Sequence, residues 1–227
     1  MPELLVPDPA TQTRRERCRK KFLAFYPGGF DDDDYIDLER SDKWDAHNTW
    51  EDLLGRRRFA DMLKQHAFTE IAARAVRIET RTTLLFNYEK MALRDALRGP
   101  QEARIFSEGL FEYVYGKGPM VERFENFTDI LTALPRRQTH VLTWPLHTVF
   151  GFIGDPQKQL FLKPRVTLTA AEEYGYDFCY YARPSWGTYA SLLGFADLIM
   201  REQQKLHPRD MIDVQGFISV LGSEDYA

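Results

Sequence analysis

His47 and Glu51 stand four residues apart in SDKWDAHNTWEDLL, a spacing that brings two side chains onto one face of a helix. An imidazole beside a carboxylate is what a general base or a metal half-site requires. Projected at about 100° per residue, Trp44, Trp50 and Leu54 flank the pair, and their apolar surface would shift both proton affinities. A satisfied histidine with an ion-pair partner at the edge of the core explains the same pattern. Asp95 is the third candidate, because on a helix over 82–97 it projects among Leu84, Tyr88 and Met91, where an unpartnered carboxylate is costly. Arg74, Arg77, Arg81 or Arg94 would serve as its counter-ion, so a structural salt bridge competes with a catalytic role. His66 and Glu70 repeat the spacing across a break near Ala67, and the chain lacks the Glu-x-x-His pairs of a carboxylate-bridged di-metal bundle. Neither a metal site nor a cofactor is expected.

The second chemistry is anion recognition. Residues 134–166, LPRRQTHVLTWPLHTVFGFIGDPQKQLFLKPRV, hold five basic side chains against Asp155 alone, a formal charge of +4 in a chain of net charge −4. Arginines hold phosphate or carboxylate oxygens in pairs, a lysine adds a point charge, and Trp144 offers a surface for stacking on a base. Arg136, Arg137, Trp144, His147, Lys163 and Arg165 are the predicted ligand-binding set. The competing reading is a buried strand with charged ends, in which Arg136 and Arg137 answer the exposed carbonyls of a helix C-terminus. Residues 151–154 carry neither a Walker lysine nor a dinucleotide fingerprint, and there is no GxSxG.

Stepping from these side chains to the elements that hold them, 227 residues with 44% hydrophobic and 14% aromatic content suffice for a sizeable core. The acidic balance excludes an overall basic field, so any polyanion contact is local. Cys18 and Cys179 lack CxxC spacing and point to free thiols in a reducing cytoplasm. The first residues show no cationic leader with an apolar run, and no stretch reaches the roughly 18 apolar residues of a span, so a cytoplasmic protein without a membrane partner is expected.

Residues 1–10, with three prolines, are expected to be a flexible lead-in to a single helical domain over 11–227. Helices are expected over 13–26, 31–40, 41–54, 57–66, 68–79, 82–97, 101–115, 119–134, 140–153, 169–174, 185–206 and 209–221. The clearest is 119–134, where Met120, Phe124, Phe127, Leu131 and Leu134 recur at helical period. Asp210 is placed to cap the last helix. Residues 159–162 read as a strand bounded by Pro156 and Pro164, with 178–181 as its partner. The expected class is therefore mainly α, a multi-helix domain with a small β element near 158–181.

The pieces FYPGGF, LLFNYEKMALRDAL, VLTWPLHTVFGF, FLKPRVT and RDMIDVQGFISVLGSEDY resemble an uncharacterised group of bacterial hypothetical proteins of about this length. The resemblance spans most of the chain and implies a bacterial, single-domain protein, with no activity and no site residues attached. The leading expectation is a binding protein for an anionic ligand, a nucleotide or nucleic acid, acting through residues 134–166. The alternatives are an enzyme with an acid–base or metal centre built from His47, Glu51 and Asp95, and a protein-interaction subunit without a ligand.

Overall fold

The computed structural model describes residues 9–80, 82–136 and 141–227. Arg81, Arg137 and residues 1–8 of the expected lead-in lie outside them. Pro9 opens α1 (Pro9–Phe25), two residues inside the stretch expected as lead-in, in the first-turn position that suits proline. The chain then turns through Pro27 and through Gly29 at φ +68°, a conformation glycine adopts without cost. Asp32 accepts the N–H groups of Gly28 (2.8 Å) and Asp34 (3.1 Å), and so caps α2 (Asp33–Tyr35). A π-helical turn, Ile36–Arg40, carries α2 directly into α3 (Ser41–Leu54).

Helices α4 (Arg56–Lys64), α5 (Phe68–Glu79), α6 (Asn87–Ala96), α7 (Pro100–Tyr115) and α8 (Met120–Ala133) follow as amphipathic elements, each burying one face. The stripe on α8 packs as its period requires, with Phe124, Phe127 and Leu131 buried. Helices α9 (Trp144–Gly154) and α12 (Met211–Gly222) are apolar around most of their circumference and form the interior of the core. Helices α10 (Pro164–Tyr174) and α11 (Trp186–Glu202) pack on α12, while α3, α5, α7 and α8 surround α9. The closest packing is α10 on α12, where a side chain at Gly222 would lie 2.0 Å from the Val166 carbonyl oxygen. Only a residue without Cβ permits that approach.

The expected β element does not form, and no strand occurs among the described residues. Residues 159–162 are buried between helices, but the N–H groups of Leu160 and Leu162 meet hydroxyls, and that of Gln159 the Asp155 carbonyl, rather than a second strand. Leu160 donates to Tyr189 Oη (3.3 Å) and Leu162 to Thr148 Oγ1 (3.0 Å). On the stretch expected to pair with them, Cys179 donates to Ser191 Oγ and Tyr181 to Thr188 Oγ1. Flanking helices thus satisfy the backbone that a ladder would otherwise serve. Several helix starts also move, two of them for reasons visible in their first turns. Helix α6 begins at Asn87 rather than 82, because the Glu89 carboxylate reaches back to the Phe86 N–H (3.1 Å). Helix α10 begins at Pro164 rather than 169, because Pro164 fits the first helical turn instead of ending a strand.

One buried ion cluster joins the two ends of the chain. Arg40 donates to both carboxylate oxygens of Asp210 (2.9 and 2.7 Å) and to Asp213 Oδ1 (2.8 Å). Asp213 also accepts from Tyr35 Oη (2.9 Å) and from the backbone and side chain of Arg209. Asp210 accepts the N–H groups of Ile212 and Asp213, the expected cap of α12. Arg40→Ala leaves Asp210 buried without a cation and Asp213 with Arg209 alone, and should cost about 3–5 kcal/mol in urea denaturation. A loss under about 1 kcal/mol would show that the cluster is not a structural clamp.

Candidate functional site

A cleft of about 900 Å³ opens where α6, α9, α10 and the segment after α12 converge. Its size lies in the upper part of the range of small-molecule sites. Lys163 and Arg165 stand at its edge on the first turn of α10, Trp144 forms its floor, and Phe86 and Tyr88 form one wall.

Glu89 organises this geometry. It is 2% exposed and accepts both the Phe86 N–H and the Thr143 hydroxyl (2.9 Å). Thr143 in turn accepts the Leu146 N–H (3.3 Å), capping α9. One carboxylate therefore ties the start of α6, with its aromatic wall, to the start of α9, with its tryptophan. Burial pushes the Glu89 carboxyl above its ordinary range, which weakens its hold on the negative charge.

The cations are unequally engaged. Lys163 Nζ lies 5.7 Å from the centroid of the Phe86 ring and makes no hydrogen bond or ion pair among the described residues. Arg165 meets Glu224 at 3.2 Å, but both are about 90% exposed, and so open a pair holds weakly. No acid occupies the first turn of α10, although acids are favoured there, and two cations stand in its place. An anion bound at that turn would meet Lys163, Arg165 and the free N–H groups of the helix together. Glu173 and Asp225 also line the cleft, so its charge is mixed.

Three of the six predicted binding residues thus share one cleft. Trp144 does so in a different role from the one expected. It is 2% exposed and its indole N–H is bonded to the Tyr181 carbonyl (2.8 Å), so it is a fixed floor rather than an open stacking surface. The open stacking surface is Phe86 with Tyr88, both about half exposed, their rings parallel within 10° and 5.6 Å apart. Periodicity placed Tyr88 and Met91 in an apolar sector, yet α6 buries Glu89, Ala92, Leu93 and Ala96 and turns Tyr88 and Met91 outward.

His147 does not reach the cleft. It lies one turn beyond Trp144, fully buried, stacked on Phe124 at 4.1 Å, with Nε2 2.8 Å from Thr128 Oγ1. Arg136 is exposed past the end of α8 and does not line the cleft. Arg137 lies outside the described residues.

The predicted catalytic trio does not assemble. His47 Nδ1 is 2.8 Å from the Ile153 carbonyl at the end of α9, whereas Glu51 is exposed and faces Tyr115 Oη at 3.5 Å. Glu51 borders a separate groove with Arg56, Arg57, Arg58 and Arg74. Asp95 pairs with Arg98 at 2.7 Å, three residues along α6, rather than with the arginines expected. No grouping of three or more His, Cys, Asp or Glu side chains suited to a metal ion occurs among the described residues. No described helix is long and apolar enough to cross a membrane.

Comparison of the chain with protein-family models, with curated proteins and with solved structures returned no match.

The buried imidazole has a consequence for stability. Burial holds His147 at a pKa of about 3, against an ordinary value of 6.5. Between those values the unfolded chain takes up a proton that the folded one refuses, so stability falls as pH drops from 6.5 towards 3, by roughly 1.4 kcal/mol per pH unit. Urea denaturation at pH 7 and pH 5.5 should show a loss about 1 kcal/mol larger for the native chain than for His147→Phe. Equal losses would refute the assignment.

Proposed function

We propose that the protein binds a small anionic ligand with a flat apolar body, held in the cleft with its charged group at the first turn of α10. The observation that carries this reading is the meeting of Lys163, free of any ion pair, and Arg165 with the parallel rings of Phe86 and Tyr88 in one cleft of about 900 Å³. The rings suit the body of the ligand, and the cations with the uncapped N–H groups suit its anion.

A nucleotide fits this description better than nucleic acid does. Glu173, Glu224 and Asp225 interrupt the basic surface, so the cleft lacks the continuous positive track that follows a phosphate backbone. Charge favours one compact anion placed between the acids. The enzyme reading built on His47, Glu51 and Asp95 has no shared site to act in.

Titration with ribose 5-phosphate and with nucleoside monophosphates, followed by intrinsic fluorescence, tests the proposal. Lys163→Ala should weaken binding about tenfold, the scale of one charge-assisted hydrogen bond, and added salt should weaken it further. Its melting temperature should stay close to that of the native chain, because Lys163 makes no hydrogen bond or ion pair in the free protein. Unchanged affinity in the variant, or no binding at millimolar ligand, would overturn the proposal.

A further inference from the structure

A second cavity of about 140 Å³ lies beside the cleft, and Lys163, Val166, Ser223 and Asp225 line both. The π-helical turn and α3 contribute Glu39 and Lys43 to its walls, and α12 contributes Gln215 and Ser219. Leu84 and Phe161 supply apolar sides. Gln215 and Ser219 are four residues apart and share one face of α12.

Most polar groups of this chamber are already engaged. Glu39 accepts the Tyr226 hydroxyl, and Lys43 donates to the Glu39 carbonyl and to Asp42. Gln215 is the exception. It is 2% exposed, its Oε1 is buried without a partner, and its amide makes no hydrogen bond among the described residues. An unpaired buried amide costs on the order of 1–3 kcal/mol. The positions around it on α12 are Ile212, Val214, Phe217 and Ile218, so an apolar side chain would be the cheaper occupant of a merely structural site.

A primary amide presents a donor and an acceptor side by side, which is the complement of a lactam or imide edge. A cavity of about 150 Å³ holds one benzene ring, so this chamber accommodates a single six-membered ring. The apolar sides offered by Leu84 and Phe161 suit such a ring, and Lys163 lines both the chamber and the larger cleft. We propose that the chamber receives a pyrimidine-like ring whose N–H and C=O edge is read by Gln215, with the ring's anionic substituent at Lys163. The inference rests on the anion site of the reading above, seats the ligand's ring in the chamber rather than against Phe86 and Tyr88, and narrows the ligand class to pyrimidine nucleoside monophosphates.

Calorimetric titration of the full chain with uridine 5′-monophosphate, adenosine 5′-monophosphate and ribose 5-phosphate tests it. The uridine nucleotide should bind at least tenfold more tightly than either of the others. Gln215→Met should bring its affinity down to that of ribose 5-phosphate and leave ribose 5-phosphate unchanged. The melting temperature of that variant should not fall, since the free protein loses no hydrogen bond. Ser219→Leu, which fills the chamber and keeps the amide in the chain, should have the same effect on binding.

Equal binding of ribose 5-phosphate and the uridine nucleotide would overturn the chamber's role and leave the cleft's anion site standing. Binding of neither would overturn both. Unchanged uridine nucleotide affinity in Gln215→Met, or a fall of several degrees in its melting temperature, would show that the amide does not read the ring.

Discussion

The chamber and the segment that closes one side of the cleft depend on how α12 is seated, and α12 is seated by Arg40. A guanidinium shared between two aspartates in the first turn of a buried helix fixes that helix in rotation as well as in position, because its planar fork accepts few orientations. The aspartates are 3% and 0% exposed, so the alternative to pairing is two desolvated charges. Since Arg40 ends the π-helical turn, the same contact sets where Glu39 and Lys43 stand relative to Gln215. The chamber's facing walls are held by a single cation a few residues away from both. Tyr35 and Arg209 complete the cluster by using the remaining lone pairs of Asp213.

The larger cleft has its own organiser in Glu89. This carboxylate accepts a backbone N–H of one wall and a hydroxyl of the other, and it feels the charge of Lys163 without a hydrogen bond to it. The two organisers act on different kinds of contact. Around Arg40 charge is neutralised and buried, whereas Lys163 stands half-buried next to an aromatic face without a hydrogen-bonded counter-ion. A protein selected for stability alone has reason to close the second as it closes the first.

Local rules in the sequence carried the helices far better than they carried the site. The stripe on α8 and the Asp210 cap could be read because each depends on neighbours within a few residues. The start of α10 could not, since Pro164 is equally at home at a strand edge and in a helix's first turn, and only the hydroxyls of Thr148 and Tyr189 decide which. Lys163 and Arg165 were legible as cations, but their placement at a helix N-terminus was not. Tyr88 and Met91 were read into an apolar sector because periodicity shows that a face is apolar without showing what covers it. His147 went the other way, because three residues along a helix buried on all sides separate the cleft floor from the core. Gln215 gave no signal, since its meaning lies in bonds it does not make.

The extended run before α10 has a further consequence. A strand-like segment normally presents a row of unpaired donors and acceptors, along which another chain can add. Here the donors of Leu160 and Leu162 end on hydroxyls from two helices, and the side chains from Gln159 to Leu162 are 2% exposed or less. The most β-prone and apolar run near the cleft, QLFL, therefore offers no edge to a neighbouring molecule while the helices stay packed. Protection against intermolecular pairing is delegated to Thr148 and Tyr189, two side chains that on a surface map would show nothing at all.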